Sequence, residues 1–353
     1  MRIAVIGPQY PDSFARNILV TLEYMGHNVL ALDINDTLLS SRLIDLYKTR
    51  FFWYLRNLEF KLLDASPLLE AKVYQKLAAK IAAYRPQLII NILNRVPPEV
   101  VTQLKRQTGA AVVFWWPDSI GNLGRQYPLA SPYDALFFKD RHLVEECRSK
   151  LGINNAFFLP ECCNPIWHKR VQLTEAEYAL YGCDITIAGN MYYNRVLMLE
   201  PLVKYNLKIW GGTPPRWLKS PLTQFHQRKF VAEIEKSKAF NAAKIVINTF
   251  HLQEITSISV RVFETAGCGA FQLCEYRPAL EEFFEIGQEL DVFSNRDELI
   301  EKVEYYLAHP EVRRAIADKG YKRAHQEHTY QKRLTEMLEI VKHISGKAVP
   351  SDT

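Results

Sequence analysis

The chain has 353 residues, 48% hydrophobic and 24% charged, a composition that excludes a disordered or fibrous protein and, at ~150 residues per domain, predicts two domains. Its 44 Lys+Arg against 39 Asp+Glu leave a net charge of +5, which permits contact with phosphates or an anionic membrane without demanding nucleic acid. The six cysteines, Cys147, Cys162, Cys163, Cys183, Cys268 and Cys274, include no CxxC pair, so reduced, mostly buried thiols are expected rather than a metal site or a disulfide framework.

Arg2 to Ile6 is a short apolar run closed by Gly7-Pro8, too short for a signal peptide or a membrane span. No later run reaches span length without a charge, and a cytoplasmic protein is expected. A helix over about 13–25, then Gly26-His27 and an apolar run over 28–32, completes a βαβ opening. The loop after the first strand lacks GxGxxG, which argues against a dinucleotide oxidoreductase. Leu39 to Ala83 is rich in Leu, Tyr, Phe and Lys and reads as helix interrupted near Pro67. Its segment Lys48-Thr-Arg-Phe-Phe-Trp-Tyr-Leu-Arg is a candidate for weak peripheral contact with a membrane, a partly buried amphipathic helix being the plainer account. Continuous apolar runs follow at 87–93, 111–116, 135–138 and 155–159, of the kind found in parallel sheets, with a helix between Pro97-Pro98 and Gly109. Trp115 and Trp116 alternate sides of a strand, so one of them is expected in the core.

The pattern loosens from Asn164 to Gly182, where a linker is expected, and then restarts. Strands are predicted at 183–188, 207–210, 244–248, 271–274 and 290–293, and helices at 259–268, 278–284, 297–308, 310–319 and 329–344. The fold class that results is α/β, with two tandem Rossmann-like domains facing across a cleft. Their spans are 1–165 and 166–325, and residues 326–353 form a closing helix and tail.

The most informative stretch runs from Thr256 to Ala270. Ser257 and Ser259 are good N-caps, and Gly269 stops the helix. A helix start offers free N–H groups and a positive dipole end to a diphosphate. Arg261 and Glu264, three positions apart, share a face. Arg can grip phosphate with its fork while a carboxylate accepts from ribose hydroxyls. An exposed i,i+3 ion pair is the plainer reading, and the small residues Ala266-Gly-Cys-Gly269, which allow close packing, weigh against it.

Ser259-Val-Arg-Val-Phe-Glu-Thr-Ala-Gly-Cys-Gly-Ala-Phe-Gln-Leu, with Leu280-Glu-Glu-Phe-Phe, Glu298-Leu-Ile and Glu327-His-Thr-Tyr-Gln-Lys-Arg, resembles the C-terminal domain of CgeB-like glycosyltransferases. That family is a branch of the two-Rossmann GT-B enzymes. Ile187-Ala-Gly-Asn-Met-Tyr-Tyr-Asn-Arg and Lys244-Ile-Val-Ile-Asn add to the resemblance, which covers roughly 183–340; over 1–165 the likeness is architectural apart from Trp115-Trp-Pro-Asp118.

The resemblance implies transfer of a sugar from a nucleotide-sugar donor held by the C-terminal domain. The hydroxyl acceptor, a glycan, lipid or protein, would be held by the N-terminal domain. It implies ribose binding by Glu264, neutralisation of the diphosphate by Arg195, close approach at Gly189-Asn190, and base contacts from Trp210, Gly211 and Asn248. Ser259 and Arg261 complete the donor set. Many retaining relatives carry two glutamates eight positions apart; here the position eight before Glu264 is Thr256, so the stereochemical outcome stays open. No DxD motif is present to hold a metal, and none is expected to be required, the nucleotide-sugar being a co-substrate and no cofactor implied. Asp118, at a strand end, is the candidate general base, with Asp12, Asp140 and His142 competing and a plain turn cap as the other reading. His251 is a candidate contact to donor or catalytic group, though a lone His is more often structural. The alternative function is an inactive GT-B-fold nucleotide-sugar-binding or scaffold protein. Nucleic acid is not expected as a partner.

Overall fold

The computed structural model describes residues 1–38 and 50–346. The chain divides into two compact units, one comprising Met1–Pro160 together with the chain from Leu334 onward, the other Glu161–Arg333. These divisions fall five residues before and eight after the sequence-derived positions of 165 and 325.

The first unit runs β1 (Arg2–Ile6), α1 (Phe14–Tyr24), β2 (Asn28–Leu32), α2 (Arg50–Ala65), α3 (Pro67–Tyr84), β3 (Leu88–Asn91), α4 (Pro98–Thr108), β4 (Ala111–Trp116), α5 (Tyr127–Ala130), β5 (Ala135–Phe138), α6 (Arg141–Ser149) and β6 (Ala156–Phe158). The strands form one parallel six-stranded sheet in the order β2-β1-β3-β4-β5-β6. Strands β3 and β5 are buried along their whole length, as a parallel sheet covered on both faces requires. Ile6, Ile89, Phe114 and Phe138 share a core with Leu77 and Ile81 of α3 and Val101 of α4; each such side chain, fully buried, contributes about 1.5–3 kcal/mol.

Local chemistry sets the element ends. Ser66 caps α3 by accepting from the Leu69 N–H, with Pro67 in the first turn, so the expected break near Pro67 separates α2 from α3. Residues 39–49 of that expected helix lie outside the described residues. Both tryptophans of β4 are core residues, on opposite faces: Trp116 packs with Phe114, while Trp115 meets Phe14 edge-on and donates to the Leu159 carbonyl at 3.0 Å.

The second unit runs α7 (Glu175–Tyr181), β7 (Cys183–Ala188), α8 (Tyr193–Leu199), β8 (Leu207–Trp210), α9 (Ile234–Ala242), β9 (Ala243–Asn248), α10 (Val260–Gly267), β10 (Gln272–Glu275), β11 (Asp291–Phe293), α11 (Arg296–Ala308), α12 (Pro310–Glu327) and the start of α13 (Tyr330–Ser345). Its strands also run parallel, in the order β11-β10-β9-β7-β8. In both sheets the chain starts in the interior, moves to one edge, then returns across its first strand. The resulting topological switch points lie between β1 and β3 and between β7 and β9, and in such sheets ligands bind beyond the strand C-termini at that point.

Two expected features change. The supposed linker contains α7, started by a capping box in which Thr174 and Glu177 serve each other's backbone N–H groups. Helix α12 does not stop at Lys319 but continues to Glu327. Gly320 sits inside it because a Cβ there would lie 2.2 Å from the Glu289 carbonyl oxygen. All six cysteines are free and buried, and no helix among the described residues is long and apolar enough to cross a membrane.

Candidate functional site

The switch point of the second unit is built from three chain segments. Strand β7 ends in Ala188-Gly189-Asn190, β9 ends in Asn248-Thr249-Phe250, and α10 begins at Val260. Two guanidinium groups converge there. Arg195, on α8 and almost fully buried, donates from Nε to Thr249 Oγ1 at 2.7 Å, from Nη2 to the Thr249 carbonyl at 3.3 Å, and from Nη1 to the Asn190 carbonyl. Arg261, in the first turn of α10, donates to the Ala188 carbonyl at 2.8 Å and the Thr249 carbonyl at 3.1 Å. Its Nε is buried with no hydrogen-bond partner among the described residues.

Backbone carbonyls at parallel strand ends therefore hold both forks without cancelling their charge. Burial, then the positive charge of Arg261, pushes Arg195 well below the ordinary arginine range, and burial lowers Arg261 as well. The carboxylates of Glu254 and Glu275 act on Arg195 only through space. Glu275 itself accepts from the Phe250 N–H and pairs with Arg277. Two like charges held together away from water favour an incoming anion.

Gly189 makes this geometry accessible. Its φ of +119° lies in territory glycine tolerates, and a Cβ would stand 2.2 Å from Arg261 Nη1. Gly211 supports the same loop, since a Cβ there would press to 2.8 Å on the Gly189 carbonyl oxygen. His251 lies alongside: its ring meets Tyr192 edge-on at 4.9 Å, and its Nδ1 accepts from the Gln253 N–H at 3.3 Å. That contact places the proton of a neutral ring on Nε2, as a donor.

Glu264 is one turn further along α10 and does not pair with Arg261. Its Oε1 meets Lys236 Nζ at 2.7 Å and His168 Nε2 at 3.8 Å, all three side chains being buried. The plainer reading of the two as an exposed i,i+3 ion pair therefore does not hold, and the Arg and the Glu serve different neighbours. Ser259 is the N-cap residue by position but makes no capping hydrogen bond. Glu161 supplies the anion instead, its Oε2 accepting from the Val260 N–H at 3.1 Å.

Two expected donor contacts are corrected. Trp210 is buried, packs on Tyr181 and donates from its indole to Thr186 Oγ1 at 2.9 Å, so its ring belongs to the core. Asn248 is equally interior: its amide donates to Thr265 Oγ1 at 3.2 Å and Gln272 Oε1 at 2.8 Å, locking α10 to β9 and β10. Asp118, in the first unit, is exposed and serves its own turn, accepting from the Ser119 N–H at 2.7 Å and from Asn122 Nδ2 at 2.9 Å. Asp140 is the N-cap of α6.

The site's helix rests on a histidine that sequence reasoning passed over as part of a motif. His328 packs on Phe263 of α10 at 5.3 Å. It donates from Nε2 to the Phe283 carbonyl at 2.9 Å and accepts at Nδ1 from Arg333 at 3.1 Å. Burial, with further repulsion from Arg333 and Arg323, pushes its pKa down to about 4. In the unfolded chain this imidazole takes its proton near an ordinary pKa of about 6.5, so between the two values the unfolded state binds more protons. Stability from this group is complete above the upper value and is lost as the pH falls toward the lower one, by up to about 3 kcal/mol. Urea midpoints measured across that window are expected to fall with pH, and His328→Gln to flatten the fall; an unchanged pH slope in the variant refutes the assignment.

Comparison with known proteins fits this architecture. Residues 195–339 match the family described as glycosyl transferase-like. The chain is 26% identical over 261 residues to spore protein CgeB of Bacillus subtilis (strain 168), covering 69% of this chain and 79% of that one. The fold is shared with sucrose-phosphate synthase from Thermosynechococcus elongatus, at a TM-score of 0.69 and 13% identity over 98% of this chain and 99% of that one. It is shared also with Anabaena HepE in complex with UDP and glucose, at a TM-score of 0.61 and 11% identity over 96% and 99%. Two parallel α/β units with these relatives define a glycosyltransferase of GT-B fold. More narrowly, the chain is similar to CgeB across 69% of its length.

Proposed function

We propose that the chain transfers a sugar from a nucleotide-sugar donor to a hydroxyl acceptor, with the donor's diphosphate seated on Arg195 and Arg261. The observation that carries this reading is the pair of guanidinium groups at the β7/β9 switch point, Arg195 buried and Arg261 half-buried, held by backbone carbonyls and the Thr249 hydroxyl rather than by carboxylates. The presence of UDP and glucose in HepE, a protein of the same fold, supports the choice of ligand. Glu264 would accept from ribose hydroxyls through Oε2, since Lys236 and His168 approach Oε1. His251 would donate from Nε2 to a donor oxygen.

In the reaction the bond between the anomeric carbon and the diphosphate oxygen breaks, the acceptor oxygen bonds to that carbon, and the hydroxyl proton passes to a base or to water. Negative charge grows on the departing diphosphate, where two fixed cations stabilise the transition state more than the ground state. The same two cations can carry the charge that a divalent metal carries elsewhere, and we propose turnover without one. The test is a panel of nucleotide-sugars assayed for release of free nucleoside diphosphate, with and without a chelator. Release from one donor, undiminished by chelator, is expected. No release from any donor sinks the proposed reaction, and release abolished by chelator sinks its metal independence.

A further inference from the structure

Helices α2 and α3 of the first unit present faces that the core does not use. Each buries one side only: Leu63 on α2, and Tyr74, Leu77, Ala78 and Ile81 on α3. On α2, Tyr54, Leu58 and Leu62 recur at four-residue spacing and are 68%, 52% and 50% exposed, an apolar row along the outer face. Where the chain turns into α3, Leu68 and Leu69 are also exposed, at 79% and 44%. The outer face of α3 then continues as a row of exposed lysines at the same spacing, Lys72, Lys76 and Lys80, with exposed Lys61 on α2.

The charges around this surface are unequal in a specific way. Asp64 pairs with Arg95 and Arg125, and Glu70, buried, pairs with Arg125 at 2.8 Å. Glu59 is the remaining acid of α2 and is half-buried with a partner of its own. Arginines thus neutralise Asp64 and Glu70, while the four lysines form no ion pair among the described residues. An exposed apolar row beside an uncompensated basic row matches an anionic bilayer, into which apolar side chains dip while lysines remain at the headgroups.

We propose that the α2–α3 hairpin docks the protein on an anionic membrane surface. The match in charge commits the surface to lipid over a second copy of the chain, because an identical face would set lysine row against lysine row across a two-fold contact. This proposal stands apart from the donor site and rests on none of its residues.

The test is co-sedimentation of the full chain with vesicles of phosphatidylcholine alone and of an equal mixture of phosphatidylcholine and phosphatidylglycerol. Binding to the mixed vesicles only, weakening with added salt, is expected. Two triple variants separate the contributions: Lys72→Glu/Lys76→Glu/Lys80→Glu, and Tyr54→Ser/Leu58→Ser/Leu62→Ser. The first is expected to bind at least about a hundredfold more weakly, each lysine near an anionic surface being worth roughly a factor of five. The second should also lose binding, with the thermal midpoint of both checked against wild type to show that they fold. Absence of wild-type binding to mixed vesicles overturns the proposal, as does unchanged binding by both variants. So does concentration-dependent dimerisation that the serine variant abolishes while vesicles fail to bind, which would assign the surface to a second copy.

Discussion

Arg195→Ala is expected to weaken binding of a nucleoside diphosphate by about thirty- to a thousandfold, the roughly 2–4 kcal/mol typical of removing one side of a buried charged contact. The side chain has little exposed surface: its three donors end on Thr249 and Asn190, and the same fork would present its charge to the diphosphate of the proposed donor. Its loss also leaves those acceptors unmatched, so a fall in stability of about 1–3 kcal/mol should accompany the loss of affinity. Relief of repulsion with Arg261 offsets part of that fall. Arg195→Lys separates charge from shape. A lysine keeps the cation but cannot span Thr249 and Asn190 with one planar group, so intermediate affinity is expected. Calorimetric titration with UDP reads the first effect and thermal unfolding the second. Wild-type affinity in a folded Arg195→Ala variant eliminates the diphosphate site.

Glu264→Ala should be the most destabilising single change in the second unit's site, by about 3–5 kcal/mol, because it removes the carboxylate that compensates the buried Lys236 cation. A purely ligand-facing carboxylate would cost little when removed, so chemical denaturation tests whether this residue carries structure as well as ligand. Replacing both partners, Lys236→Met with Glu264→Leu, should restore most of the lost stability, since well-packed apolar residues often match a buried ion pair. Donor binding should not return in the double variant. A single variant as stable as wild type refutes the buried pair, and a double variant that binds UDP normally refutes the role proposed for Glu264.

The strands of both sheets were largely legible because parallel strands are written as continuous apolar runs. Cys183–Ala188 and Leu207–Trp210 emerge with the limits expected, and Arg195 and Arg261 converge beyond the ends of β7 and β9. What sequence spacing could not show is partnership across long separations. Lys236 lies on α9, a helix with little periodic signal that the sequence reading passed over, and its tie to Glu264 exists only once β9 has brought the two helices together. Trp210 misled because an aromatic beside a Gly-Gly loop looks ready to stack on a base, yet the pleat turns it inward toward Tyr181. The capping box at Thr174 was present in the sequence and marks α7 inside the supposed linker. The helix expected to end at 319 continues through Gly320, where close packing against Glu289 requires the absence of a side chain.

The carboxylate at the head of α10 has a consequence for how the second unit can be isolated. Glu161 is the residue at which that unit begins, and it reaches a helix 99 positions later. A fragment cut at 166, where spacing suggested the boundary, would leave behind the anion that seats the arginine-bearing helix. A fragment begun a few residues upstream of Glu161 would retain it. Excision at this seam therefore decides whether the severed half arrives with its two-arginine cradle assembled or frayed.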